Sequence, residues 1–221
     1  MIALVRYQAS LLLRSHRWIP PAVLYVLGVL LLGAAGPSQD PRASLASGLS
    51  WSALLLVPCG AWLTRAAVTA EPPEARACVA AAAGPRRAHL AALIGAEGFG
   101  AVLGVIGVVW ESLRVGVAAA TPPILVGGLG AAATCLLVGS ATGAVCNPPI
   151  IRRPAAAMLC TTGAVVFALI WGGSPANAAV RSAGYGASAT PWPAGVPLVA
   201  AGVLVGAAWA VAAVAAARRG A

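Results

Sequence analysis

Six long apolar runs alternate with short polar breaks along this chain. They cover 18–36, 49–70, 90–110, 123–146, 155–172 and 196–217, each bounded by charges, Pro/Gly clusters or both. A helix needs about 20 apolar residues to cross the hydrocarbon core of a bilayer, so each run predicts a transmembrane helix. The last is the plainest, with no ionisable side chain from Val196 to Ala217, and 155–172 is the shortest. The first run exceeds the roughly 7–15 apolar residues of a cleaved signal core, which predicts a retained helix. The expected fold is all-α: an N-terminal segment (1–17) followed by a polytopic domain (18–221) with six transmembrane helices.

Three stretches depart from this simple pattern. In 2–17, at about 100° per residue, Arg6, Ser10, Arg14 and Arg17 share an arc of about 80°. Ile2, Leu4, Val5, Ala9, Leu11 and Leu12 occupy most of the other side. This predicts an amphipathic helix lying in the headgroup layer rather than a lead-in whose arginines only fix topology. Between the second and third runs, Glu71-Pro72-Pro73-Glu74 opens an alanine-rich stretch and Gly84-Pro85-Arg86-Arg87 closes it. These are start and stop signals for a short helix within 73–87, its acids and arginines both placed to complement the helix dipole. It is either a tidy turn or a docking element for a soluble partner. In 173–195, Ser174 and Pro175 predict an N-cap and first turn, Ala176 to Ala183 a short helix, and Gly184 and Gly186 its stop. That piece lies on the membrane or dips into it under cover of protein.

Composition agrees. Hydrophobic residues make up 60% of 221 and mean hydropathy is +0.90. Only 9% are charged, against roughly 25% in soluble domains. Net charge is +9, and all 14 basic residues are arginine. Nucleic-acid binding would need them on one soluble face, but they sit in small groups between the runs. Eleven (Arg6, Arg14, Arg17, Arg65, Arg76, Arg86, Arg87, Arg152, Arg153, Arg218 and Arg219) fall on one side, and only Arg42, Arg114 and Arg181 on the other. The positive-inside rule then puts both termini and 73–87 in the cytoplasm. Cys59, Cys78, Cys135, Cys146 and Cys160 form no CxxC and are read as buried free thiols, with no metal or other cofactor expected.

Glu97 lies inside the third run, and a carboxylate there should face protein or water. Gly100, Ala101 and Gly104 follow at helical spacing, a small-residue stripe that predicts a bundle-facing side. Arg65 lies at similar depth in the second run; it either pairs with Glu97 or snorkels to the headgroups. Chemistry in the bilayer would need a nucleophile with a base, paired carboxylates or metal ligands. The chain has no HExxH, GxSxG or carboxylate pair, and His16 and His89 lie at the membrane edges. No enzyme is expected.

Three stretches carry a likeness. They are Thr64-Arg65-Ala66-Ala67-Val68-Thr69-Ala70-Glu71-Pro72-Pro73 with its continuation to Arg87; Cys146-Asn147-Pro148-Pro149-Ile150-Ile151-Arg152-Arg153-Pro154; and Ser174-Pro175-Ala176-Asn177-Ala178-Ala179. With the six-span plan, they make nearly the whole chain resemble the permease subunits of ABC exporters of type V architecture, particularly small, alanine-rich actinobacterial members. The resemblance implies residence in a bacterial cytoplasmic membrane and a dimer with a second copy or a sister permease. It also implies a separate ATPase subunit, gripped by the N-terminal helix and by 73–87 as a coupling helix, with Glu74, Arg76, Arg86 and Arg87 as contacts. The chain has no GxxxxGK[ST] loop, so ATP binding would fall to that partner. Apolar, small-residue faces along the spans suit a hydrophobic or amphipathic substrate, whose identity the sequence does not give. Rival readings are a proton-coupled secondary carrier using Glu97, and a non-transporting membrane anchor or assembly subunit. Gly139-Ser140-Ala141-Thr142-Gly143 suits a substrate path and helix packing equally well.

Overall fold

A computed structural model describes residues 1–33, 39–185, 193 and 195–218. The end of the first run, the expected stop at Gly186 and the arginine at 219 lie outside the described residues. The described elements are helices α1 (Ile2–Arg14), α2 (Ile19–Gly33), α3 (Pro41–Val68), α4 (Pro73–Ala83), α5 (Pro85–Val115), α6 (Pro122–Cys146), α7 (Pro154–Ile170), α8 (Pro175–Tyr185) and α9 (Val196–Arg218), with a 3-10 turn at Val117–Ala119.

Four helices, α3, α5, α6 and α9, are long and apolar enough to cross a membrane. The pairs α1–α2 and α7–α8 reach that length only together and are bent by 75° and 41°. Helices α2 and α7 span 15 and 17 described residues within the first and fifth runs. The α1–α2 bend is made at His16, whose φ of 56° is left-handed and uncommon for a residue with a Cβ.

Two helices overrun their apolar runs. Helix α3 starts at Pro41 rather than near 49 because Asp40 caps it. The Asp40 Oδ1 accepts from the backbone N–H of Arg42 (2.9 Å) and Ala43 (3.3 Å), satisfying donors that a helix start leaves free. At about 1.5 Å per residue its 28 residues reach about 42 Å. Helix α5 runs 31 residues, from Pro85 to Val115, and stops at Gly116, whose φ is 109°. The Asp40 cap at the start of α3 and the glycines Gly84 and Gly116 flanking α5, rather than the limits of hydrophobicity, set these ends.

Helix α3 is the centre of the bundle, packed by α2, α5, α6, α7 and α8, while α9 covers α6 and α5. The α3–α6 contact is backbone-close. A Cβ at Gly143 would lie 2.8 Å from the Ala61 carbonyl oxygen, and one at Gly139 would meet the Val57 carbonyl. The 139–143 segment thus packs helices. Helix α8 is tucked in, with Ala176, Ala178 and Ala179 buried against its neighbours. Its predicted cap is not made: the buried Ser174 Oγ has no hydrogen-bond partner among the described residues.

Candidate functional site

The polar contacts around the C-terminus of α3 centre on Glu71. This carboxylate follows the C-terminus of α3 and is buried. Tyr7 donates its O–H to Oε1 at 3.0 Å, and Gln8 donates Nε2 to Oε2 at 3.3 Å. Partial burial, then the Glu71 bond and charge, push the Tyr7 phenol above its usual range, so it remains a donor. From α2's start, Arg17 Nη1 donates to the Thr69 carbonyl and, at 3.2 Å, to the Thr69 hydroxyl. From α4, Arg76 Nη2 donates to the carbonyls of Val68 (3.0 Å) and Glu71 (2.9 Å). These carbonyls belong to the end of α3, where backbone acceptors lack helical partners. The bonds tie α1, α3 and α4 together, and α1 also packs along α5, with the Ala9 backbone beside Gly95.

Three of the four predicted contact residues face outward here. Glu74 lies in the first turn of α4 and is exposed, as are Arg86 and Arg87. Those two arginines sit in the first turn of α5 rather than in a free tail after α4. Arg76 does not face outward. It is half-buried and spent on backbone carbonyls, because the turn between α3 and α4 leaves acceptors within its reach.

The expected Arg65–Glu97 pair is not formed. Arg65 Nη1 donates to Asn147 Oδ1 at 2.9 Å. Asn147 is fully buried and donates Nδ2 to the Gly143 carbonyl (2.9 Å) and the Thr161 hydroxyl (3.2 Å), joining α3, α6 and α7. A neutral amide with two acceptors waiting behind it holds the guanidinium without a second charge. Glu97 is left with Oε2 buried and without a hydrogen-bond partner among the described residues. The Ser140 hydroxyl lies beside it and itself accepts from Trp209 Nε1 at 3.2 Å. Of the small-residue stripe, Gly100 and Gly104 are buried against Leu136 and Leu56, whereas Ala101 is exposed. Between α5 and α6 these residues wall an apolar groove of about 260 Å³, lined by Leu56, Leu129, Leu136, Gly100 and Gly104, with Glu97 in its wall.

The cysteines correct a simpler expectation. Cys59, Cys135 and Cys146 are buried free thiols, but Cys78 and Cys160 are exposed. Cys160 Sγ lies 3.0 Å from Cys146 Sγ.

Several polar anchors escaped sequence reasoning: Glu71, Asn147 and a buried ion pair, Glu111–Arg114, at the other end of α5. Two of them left a signal. Gln8 falls in the middle of the apolar arc of α1, where a buried amide demands a partner. Glu111 and Arg114 stand three residues apart on one helix, a spacing at which side chains meet. Asn147, one residue past α6, left none. Comparison of the chain with protein families, curated proteins and solved structures gives no match.

Proposed function

We propose that this chain is the permease subunit of an ATP-driven ABC exporter in a bacterial cytoplasmic membrane. In this reading six spans cross the bilayer, with α2 and α7 as the first and fifth and α1 lying along the cytoplasmic surface, and both termini lie in the cytoplasm. A separate ATPase subunit docks on the face formed by α1 and α4. A second copy or a sister permease completes the path for a hydrophobic or amphipathic substrate.

The observation that carries this reading is the Glu71 cluster. A loop that merely returns the chain to the membrane has no need for a helix, and still less for one locked to the core. Here α1 bonds the Glu71 carboxylate, and Arg76 of α4 bonds the backbone carbonyls of Val68 and Glu71 at the end of the central helix α3. A displacement applied to α4 by a partner would pass into α3 and α5 instead of being absorbed by a slack loop. Glu74, Arg86 and Arg87 offer exposed charge of both signs for such a partner. The arginine asymmetry supports the cytoplasmic placement of that face.

The test is recovery of a partner. The chain, cross-linked in its native membranes and purified in mild detergent, is expected to bring down an ATP-hydrolysing subunit. The double substitution Arg86→Glu, Arg87→Glu should abolish recovery and leave the chain's own melting within about 0.5 kcal/mol, as exposed positions usually do. Failure of the wild-type chain to retain any ATPase would end the reading.

A second reading, the proton-coupled carrier, gains from one observation: Glu97 has no arginine partner, and unpaired intramembrane carboxylates often relay protons. It requires transport without ATPase that is lost in Glu97→Gln.

A further inference from the structure

Every other acid in the chain is accounted for. The sequence has five acidic residues. Asp40 caps α3, Glu71 receives Tyr7 and Gln8, Glu111 is held by Arg114, and Glu74 is exposed. Glu97 alone presents a buried carboxylate oxygen with no partner among the described residues. Burying an unpaired charge is costly, and the arginine best placed in sequence to offset it is held elsewhere by Asn147.

The surroundings define what would offset it. The walls of the groove beside Glu97 are aliphatic or glycine, with Leu56 at its base and Leu129, Leu136, Gly100 and Gly104 around it. Its volume, about 260 Å³, approaches the small end of ligand sites, roughly 300–1,000 Å³. Leu129 and Val105 at its edge are 45% and 53% exposed, so the groove is reached from the outer face of the bundle rather than sealed within it. An acyl chain would fill the aliphatic part but leave the carboxylate unpaired. An anion would be repelled, and a hydrated inorganic cation would find beside Glu97 only the Ser140 hydroxyl, which already accepts from Trp209 Nε1, and otherwise apolar walls.

We propose that the α5–α6 groove binds a lipophilic monocation, its apolar body against Leu56, Leu129 and Leu136 and its positive charge on Glu97. This assigns the substrate class of the exporter, and it rests on that reading for the ligand's role as cargo. The attraction is strong because both groups leave water together: in apolar surroundings a charge contact is screened far less than at a surface. Selectivity follows from the same geometry. A neutral molecule of equal shape gains only the apolar contact, and an anion of equal shape faces the carboxylate.

The experiment uses the full chain in lipid nanodiscs without any ATPase, with tetraphenylphosphonium as probe and tetraphenylborate as its counterpart of like shape and opposite charge. Binding is measured by equilibrium dialysis, subtracting empty nanodiscs of the same lipid. Saturable phosphonium binding is expected, weakened at least tenfold by Glu97→Gln, partly kept by Glu97→Asp, and lost in Leu129→Trp, which fills the groove. Tetraphenylborate should show no saturable component. Equal phosphonium binding by wild type and Glu97→Gln, or equal uptake of both ions, would overturn the proposal and leave the groove a lipid contact. Because no ATPase takes part, the two readings fail separately. Loss of the ATPase pull-down with binding intact removes the exporter and leaves the site. Loss of binding with the pull-down intact removes the site and leaves the exporter.

Discussion

Helix α5 carries two glutamates, Glu97 and Glu111, about four turns apart, and they meet opposite fates. Glu111 is 1% exposed and closed in on every side. Arg114 brings Nε (2.9 Å) and Nη2 (2.7 Å) onto Oε2, and its Nη1 reaches the Gly33 carbonyl at 3.4 Å, binding the end of α2 into the same cluster. Gly48 on α3 makes the room, since a Cβ there would come within 2.9 Å of the Glu111 carboxyl carbon. Glu97 has no arginine at helical spacing, and apart from the Ser140 hydroxyl beside it the groove walls are aliphatic or glycine. The difference teaches that a buried carboxylate is structural when its counter-charge is supplied on the same helix. Glu97 has neither a counter-charge on its own helix nor a donor on its buried Oε2 among the described residues, which is the opening the proposed cation would fill.

The sharpest way to break the comparison is to remove the counter-charge from the closed site. Arg114→Ala leaves Glu111 buried and unpaired, and should cost about 3–5 kcal/mol, read as a large drop in melting temperature of the detergent-solubilised chain. The double variant Glu111→Gln, Arg114→Met should recover most of that loss, because the penalty belongs to the orphaned charge rather than to the pair. A double variant as unstable as the single would show that the pair itself is needed.

Glu71 is the intermediate case, a buried carboxylate whose partners are neutral donors. Glu71→Ala should cost about 1.5–3 kcal/mol, the range for hydrogen bonds to charged groups. The loss should be local. Hydrogen–deuterium exchange is expected to speed up in α1, whose Tyr7 and Gln8 lose their acceptor, and stay unchanged in the α3–α6 contact. Uniform acceleration along the chain would mean that the cluster supports the whole bundle.

The comparison also marks how far the sequence could be read. Apolar runs located every long helix, because runs of that length leave a chain few other structures. Their ends were misplaced where a cap decided them. Asp40 and Pro41 start α3 inside what reads as a polar loop, and Pro85 starts α5 before its apolar run begins. Short helix α4 was legible from Pro and Gly punctuation, which acts locally; α8 was legible from Pro175 alone, since Gly184 lies inside it rather than stopping it. Polar partners were not. Depth along two helices suggested Arg65 with Glu97, but depth fixes only one coordinate, and rotation about the α3 axis aims Arg65 at Asn147 instead. Arg76 failed for a related reason: its partners are backbone carbonyls of the chain it follows, and these have no sequence signature.

The smallest expected effect is the most diagnostic. Glu97→Gln replaces an unpaired buried carboxylate with a neutral group of nearly the same shape, so it removes no ion pair. Melting should therefore change by less than about 1 kcal/mol, with a rise as natural as a fall, since relieving an uncompensated charge offsets any lost contact with Ser140. Arg114→Ala measured in the same detergent sets the scale for a carboxylate that does have a partner. If Glu97→Gln instead melts as low as Arg114→Ala, Glu97 has a counter-charge in the folded chain, and the contrast along α5 disappears. If it melts with the wild type, any loss of cation binding in that variant comes from the missing charge and not from unfolding. The open end of the comparison then stands as a site rather than a flaw.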